Sequence, residues 1–167
     1  MKMSQPLKLA PLSHQDLPRV AHIRVAPEQE KFSGQVEEAF EAAETGVDFH
    51  VILEADHPVG FFKIDRLYHK RYAFARPTDV GLRAFLIDRT RQDEGIATRA
   101  VRILGDYVAD HYPDRHRLLL TVNVSNPAAI ACYRKGGFWD TDKMHMLGTA
   151  GPQHIFWMRL ECSFDAE

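Results

Sequence analysis

An apolar strand, VGLRAFLID from Val80 to Asp88, runs into a polar turn at Arg89 to Glu94 and then a helix that opens at Gly95. Ile96, Ala100, Leu104 and Tyr107 recur at helical spacing, with Ala97, Val101 and Val108 alongside, and Pro113 ends the helix after His111. A second apolar strand, LLLTVNV from Leu118 to Val124, follows. Two buried strands joined by one helix imply a parallel, right-handed crossover. No other feature of the chain restricts its fold as much.

The flanks add antiparallel elements. Leu7 to Leu12 reads as a short strand. Ser13 is a good N-cap for a helix running to about Val25, with Asp16 as its acidic N3 partner and Pro27 beyond. A second helix is predicted from Ser33 to Glu44, with Val36, Phe40 and Ala43 on one face and Gly46 past its end. DFHVILE (48–54) and VGFFKIDR (59–66) form a hairpin around the turn 55–58. Residues 67–79 are polar, rich in Arg and Lys, and without a clear period. Asn126 caps a further helix with Pro127 at its first position, ending at Gly136 and Gly137. Phe138 to Leu147 and His154 to Glu161 are two strands joined by a turn containing Gly151 and Pro152. The order β-α-α-β-β-β-α-β-α-β-β predicts an α/β (mixed α+β) fold around one mixed, mostly antiparallel sheet. No internal boundary appears, so residues 1–167 are expected to form a single domain.

Composition narrows the function. With 21 basic and 23 acidic residues the net charge is -2, which argues against a protein whose main work is coating nucleic acid. Hydrophobic residues at 45% and charged residues at 26% fit a soluble globular domain. No apolar run approaches the roughly 20 residues of a membrane span. The stretch Met1 to Ala10 lacks the apolar core of a secretory signal. Cys132 and Cys162 form no disulfide framework, so reduced thiols and a cytoplasmic location are expected. The nine histidines are scattered, with no ligand spacing, so no metal is expected and they read as surface or rim residues.

The stretch AFLIDRTRQDEGIATR (84–99) carries the first chemical signal. A strand that stops before a glycine-opened helix aims backbone N–H groups and the positive end of a helix dipole at one spot, which suits phosphate oxygens. A side chain at Gly95 would block close approach of an anion to the backbone. Thr98 can add a hydroxyl donor, and Arg89, Arg91 and Arg99 lie nearby. On its own the pattern also fits a helix start that uses glycine for tight packing. It is neither a Walker A loop nor a three-glycine Rossmann fingerprint. The second signal is NPAAIACYRKGGF (126–138), where Asn126 and Tyr133 stand about two helical turns apart on one face. Taken alone, Tyr133 also fits a core aromatic with its hydroxyl at the rim.

Together the two segments resemble the GNAT family of N-acetyltransferases. LRAFLID matches the family's strand, QDEGIA its Q/R-x-x-G-x-G/A turn and helix, and NPAAIACYRKGGF its N-x-x-A-x-x-x-Y-x-x-x-G-F helix. The resemblance covers about 80–138 by motif and the flanks by element order. It implies acetyl-CoA as cofactor and a primary amine of a small molecule or peptide as acceptor. Gln92, Asp93, Glu94, Gly95, Ile96, Ala97 and Thr98 would hold the pyrophosphate through the main chain. Ile87 would pair with the pantetheine arm, Asn126 would contact the cofactor, and Tyr133 would lie beside its sulfur. Exposed sheet edges in this family often mediate homodimers. Asp93 and Glu94 depart from the family, which has glycine or a basic residue there. Two carboxylates beside a pyrophosphate weaken its binding unless their side chains point to solvent.

The chemistry suits these residue types. An amine attacks the thioester carbonyl, an oxyanion forms and a thiolate leaves. A bulged strand near Phe85 to Ile87 could donate backbone N–H groups to the oxyanion. The thiolate, with a conjugate-acid pKa of about 8.5, benefits from a proton donor, here Tyr133 as general acid in a ternary complex. Glu28, Glu30, Asp65, Asp88 or a water could take the amine proton. Cys132 reads as a small buried thiol rather than a nucleophile. The acidic helix of Glu37, Glu38, Glu41 and Glu44 could steer a cationic amine, although Arg83 lies on the strand where such a substrate would prefer an acid. The run His69-Lys70-Arg71, flanked by Tyr68 and Tyr72, is a solvated loop or a wall of the acceptor site. The alternative from another class is a non-catalytic acyl-CoA-binding module on the same fold, which would not need Tyr133.

Overall fold

Sheet strands dominate the chain because β-branched and aromatic residues alternate or run together in it. The computed structural model describes residues 5–161; Met1 to Ser4 and Cys162 lie outside the described residues. In chain order the elements are β1 (Leu7–Leu12), α1 (Leu17–Val20), α2 (Glu30–Ser33), α3 (Val36–Ala42), β2 (Val47–Glu54), β3 (His57–Asp65), α4 (Tyr68–Arg71), β4 (Asp79–Ile87), α5 (Ile96–His111), β5 (Arg117–Asn123), α6 (Pro127–Gly136), β6 (Trp139–His145) and β7 (Gln153–Arg159). The strands make one 7-stranded sheet in the order β1-β2-β3-β4-β5-β7-β6. Only β4 and β5 pair in parallel; the other neighbours are antiparallel. This is the mixed, mostly antiparallel sheet expected from the sequence, with the crossover helix α5 joining its parallel pair.

Helices cover both faces. Ile96, Ala100, Val101, Leu104 and Val108 of α5 pack with Phe62, Ile64, Val80 and Leu82 on one face. Val20, Val36 and Ala39 pack with Phe49, Val51 and Phe61 on the other. Strand β2 is therefore apolar on both sides and buried from Phe49 to Leu53. None of the described helices is long and apolar enough to cross a membrane.

The N-terminal helices differ from expectation. The first is only 4 residues long, and Ser13 closes a turn instead of capping it: its N–H bonds Asp16 Oδ2 at 2.7 Å. Residues beyond it leave helical geometry because their backbone is used elsewhere. The Arg24 N–H donates to Asp88 at 3.2 Å and the Arg24 carbonyl accepts from the Arg89 N–H at 2.7 Å. The predicted Ser33–Glu44 helix is two pieces. Ser33 ends α2, and Gln35 is the extended N-cap of α3 while its side-chain amide bonds both the N–H and the carbonyl of Val25. These tertiary bonds outweigh helical propensity, which is a weak preference. Residues 67–79 also contain the short α4.

His50 corrects the view of the histidines as surface or rim residues: it is 2% exposed. Tyr112 donates its hydroxyl to Asp48 at 2.7 Å, so it accepts from His50 Nε2–H at 3.1 Å. His50 Nδ1 then accepts from the Tyr107 hydroxyl at 2.6 Å. This network needs a neutral ring. Burial lowers the His50 pKa to about 4, against an opposing pull from Asp48. The unfolded chain, with His near 6.5, binds the extra proton first as pH falls. Stability should be complete above about pH 6.5 and fall toward pH 4, costing about 2 kcal/mol at about pH 5. Urea unfolding at neutral pH and at about pH 5 measures this loss, and His50→Gln should flatten the slope. A wild-type protein equally stable at both pH values would rule out the neutral buried ring.

Candidate active site

The parallel pair opens like a V. Asp79, Val80 and Gly81 pair with Arg117, Leu118 and Leu119, and the pairing ends there. The base is fixed by Asp79, fully buried, whose carboxylate takes both Nε and Nη2 of Arg117 at 2.8 and 2.7 Å. Beyond Gly81, β4 continues to Ile87 and β5 to Asn123 without bonding each other. The gap is the entrance to a cavity of about 770 Å3.

Strand β4 also carries a bulge. Register with β3 shifts between Phe61 and Lys63, so Ala84 and Phe85 together oppose Phe62. Ala84 has φ 50°. The bulge begins one residue before the predicted stretch 85–87 and includes its first residue, and Ala84 and Phe85 both line the cavity.

At the Ile87 end stands the N-terminus of α5. Gly95 is its N-cap in left-handed geometry, φ 77°, and a Cβ there would meet nothing within 4 Å. The first helical bond runs from Arg99 N–H to the Gly95 carbonyl at 3.1 Å, so the N–H groups of the first turn have no helical acceptor. Gly95, Ile96, Ala97 and Thr98 all line the cavity. Gln92 and Asp93 also line it, but the Gln92 amide is engaged: it donates to the Ile87 carbonyl at 3.0 Å and exchanges bonds with Gln29. The Gln92 side chain thus ties the end of β4 to the α2 region.

Glu94 departs from expectation. Of the predicted cofactor residues it alone is outside the cavity lining, and its carboxylate bonds Arg91 Nε at 2.9 Å. Arg91 is further gripped by Glu54. Of the three nearby arginines only Arg91 lines the cavity; Arg99 donates to the Gln5 carbonyl at 2.6 Å. Asp93 is exposed at the rim. The carboxylate repulsion expected from the sequence is thereby reduced to Asp93.

Tyr133 and Asn126 enter from α6. Asn126 caps it by accepting the Ala129 N–H at 3.4 Å. The Tyr133 ring meets Phe85 edge-on at 6.0 Å and Phe138 at 5.6 Å. Burial pushes the Tyr133 hydroxyl well above the usual phenol range, so it holds its proton at neutral pH. Cys132 lies beside it, and burial pushes its thiol up as well, against a bond from Thr98. A thiol held protonated is a poor nucleophile, in line with its reading as a small buried side chain.

The opposite end of the cavity was only partly read from sequence. Lys63, Tyr72, Arg83 and His145 line it, as does the β6–β7 loop from Leu147 to Ala150. Tyr72 is thus a wall residue, whereas Tyr68 is fully buried behind Gly81. Lys63 and Arg83 stand opposite each other on adjacent strands. Glu44 bridges them at 2.9 Å each, and Asp65 holds Arg83 at 3.2 Å and Arg71 at 2.6 Å. Burial raises the Glu44 carboxyl, but the bonds from Lys63 and Arg83 outweigh it and bring it to about 2. Glu44 therefore does not steer cations: it is consumed by them. None of Glu28, Glu30, Asp65 and Asp88 lines the cavity. Asp88 is bound by Thr90 and the Arg24 N–H.

Comparison with known proteins agrees with this architecture. The family model described as "Acetyltransferase (GNAT) family" matches residues 17–138. The uncharacterized N-acetyltransferase YbbJ of Bacillus subtilis (strain 168) is 26% identical over 156 residues, covering 92% of this chain and 97% of the relative. A structure of AAC(6')-Ib in complex with paromomycin and acetyl-CoA superposes with a TM-score of 0.73 at 18% identity, covering 92% of this chain and 93% of that one. A spermidine N-acetyltransferase SpeG chimera from Vibrio cholerae and hSSAT superposes with a TM-score of 0.68 at 16% identity, covering 92% and 95%. At these identities the two structures speak for the fold.

Proposed function

The chain belongs to the GNAT acetyltransferase family and is an acetyl-CoA-dependent N-acetyltransferase; we propose that it acetylates a primary amine of a small molecule by direct attack in a ternary complex, with Tyr133 as general acid. The observation that carries this reading is that one cavity joins the V between β4 and β5, the left-handed Gly95 at the head of α5, and Tyr133.

Acetyl-CoA supplies an activated thioester carbonyl and a thiolate leaving group. In this proposal the main chain of Gly95 to Thr98 binds its pyrophosphate, because first-turn N–H groups and the helix dipole favour an anion there. Gln92 acts by holding Ile87 in place, and Asn126 by fixing the start of α6. The Ala84–Phe85 bulge presents backbone to the carbonyl oxygen, where preorganised donors stabilise developing charge. Tyr133 keeps its proton at Oη until charge builds on the departing sulfur, then donates it. With no carboxylate among the described residues that line the acceptor end of the cavity, the amine proton leaves to water in this proposal.

Tyr133→Phe keeps the ring and removes the proton. It should cut kcat by about 10²- to 10⁴-fold while leaving the thermal stabilisation by acetyl-CoA unchanged. Coenzyme A release in the presence of an accepted amine, measured beside the melting shift, separates the two effects. Unchanged turnover would remove Tyr133 from the acid role. Bound acetyl-CoA with no turnover on any amine would favour a binding module.

A further inference from the structure

Charge is distributed unevenly along the cavity. The sole acid among the described lining residues is Asp93, at the α5 end. The opposite end presents Lys63, Arg83 and His145. Beneath that end three cations, Lys63, Arg71 and Arg83, share two carboxylates, Glu44 and Asp65. Neither carboxylate lines the cavity, so positive charge faces the ligand and negative charge backs it. Among the described residues Arg83 gives one terminal nitrogen, Nη1, to both carboxylates, leaving much of its donor fork uncommitted.

Position matters as much as sign. Arg83 immediately precedes the bulge at Ala84–Phe85, on the side away from α5. An amine that reaches the bulge therefore extends past Arg83 and Lys63. A polycation there would meet like charge at close range, in a site whose acids are already engaged. An oxyanion would meet an arginine able to bind it in bidentate fashion.

Resting on the acetyltransferase reading above, we propose that this enzyme selects an amine that also carries an anionic group, a carboxylate or phosphate, held by Arg83 and Lys63. Its acceptor class thus differs from polyamines. The selection works by attraction to the anion and by repulsion of a second positive charge.

The test compares kcat/KM for matched amines with acetyl-CoA saturating. L-Glutamate, L-phenylalanine and β-alanine are each run against the corresponding amide, O-phosphoethanolamine against ethanolamine, and spermidine serves as the polycation. The anionic member of a pair should be preferred by about 10- to 100-fold, as expected for a charge-assisted hydrogen-bonded contact. Carboxylate and phosphate probes report separately which oxyanion fits. Arg83→Gln should shrink that preference to a few-fold. Because it leaves Asp65 to Arg71, Lys63→Gln is run beside it and should shrink the preference too. Preference for spermidine or for the amides, or variants that slow both members of a pair equally, would overturn the proposal. If no amine turns over, the coenzyme A-saturated protein is titrated with N-acetyl-β-alanine and N-acetylethanolamine: tighter binding of the first supports the proposal, and equal or weaker binding overturns it. Failure to bind acetyl-CoA itself is a separate result, and it would count against the acetyltransferase reading.

Discussion

Gly95→Glu should abolish the thermal stabilisation by acetyl-CoA and leave the protein folded. The wild type, at about 100 times its dissociation constant, should gain about 2.7 kcal/mol, or on the order of 5–10 °C. A Cβ at Gly95 meets nothing within 4 Å, so the new side chain starts out into open space. Its cost to folding is left-handed strain at φ 77°, about 1–2 kcal/mol. Its cost to binding is far larger, because a carboxylate is planted among the N–H groups that would take the pyrophosphate. Gly95→Ala isolates the strain: its unliganded melting temperature should match that of Gly95→Glu, while part of the ligand shift survives. An acetyl-CoA shift in Gly95→Glu equal to that of wild type would sink the phosphate site at α5.

The second large effect lies at the base of the V. A Cβ on Gly81 would come within 2.0 to 2.5 Å of three ring atoms of Tyr68. Tyr68 is 1% exposed and packs at a tilt against Tyr72, ring centroids 4.6 Å apart, so its ring has little room to yield. Gly81→Ala should therefore cost about 3 kcal/mol, an overpacking penalty at the high end of its usual range. For a chain of this size that is a fall of roughly 6–12 °C in melting temperature. The double variant with Tyr68→Leu should be more stable than the sum of the two single changes predicts, because the new methyl then finds room. A fall below about 2 °C in the single variant would show that the ring can move aside.

The central half of the fold was legible because its signals are local. LRAFLID, Gly95 and the α5 repeat declare strand, cap and amphipathic helix through backbone conformation and periodicity, and NPAAIACYRKGGF carries its own cap and stop. The N-terminal helices were misread because their limits depend on partners far along the chain. Arg24 and Val25 are held by Asp88 and Gln35, and nothing near Ser13 announces that. His50 was missed for the same reason: its partners Tyr107 and Tyr112 lie on and just beyond α5. Lys63 did leave a trace, as a lysine within the apolar run VGFFKID, where alternation alone gives it no reason to be. The pairing of Arg91 with Glu94 could have been read from their spacing of three, since both lie in one tight turn.

The pin between Asp79 and Arg117 has a mechanical consequence. Strands β1 to β4 form one leaf of the sheet and β5, β7 and β6 the other; at the seam three residue pairs of β4 and β5, the His116 N–H bonded to the Thr78 carbonyl, the Arg115 bonds to the Arg66, Pro77 and Asp79 carbonyls, and the Asp79–Arg117 ion pair all cluster at one end. Such a seam resists sliding but tolerates a change of opening angle, as a book's spine does. A molecule lying between the leaves acts as a spacer that sets this angle.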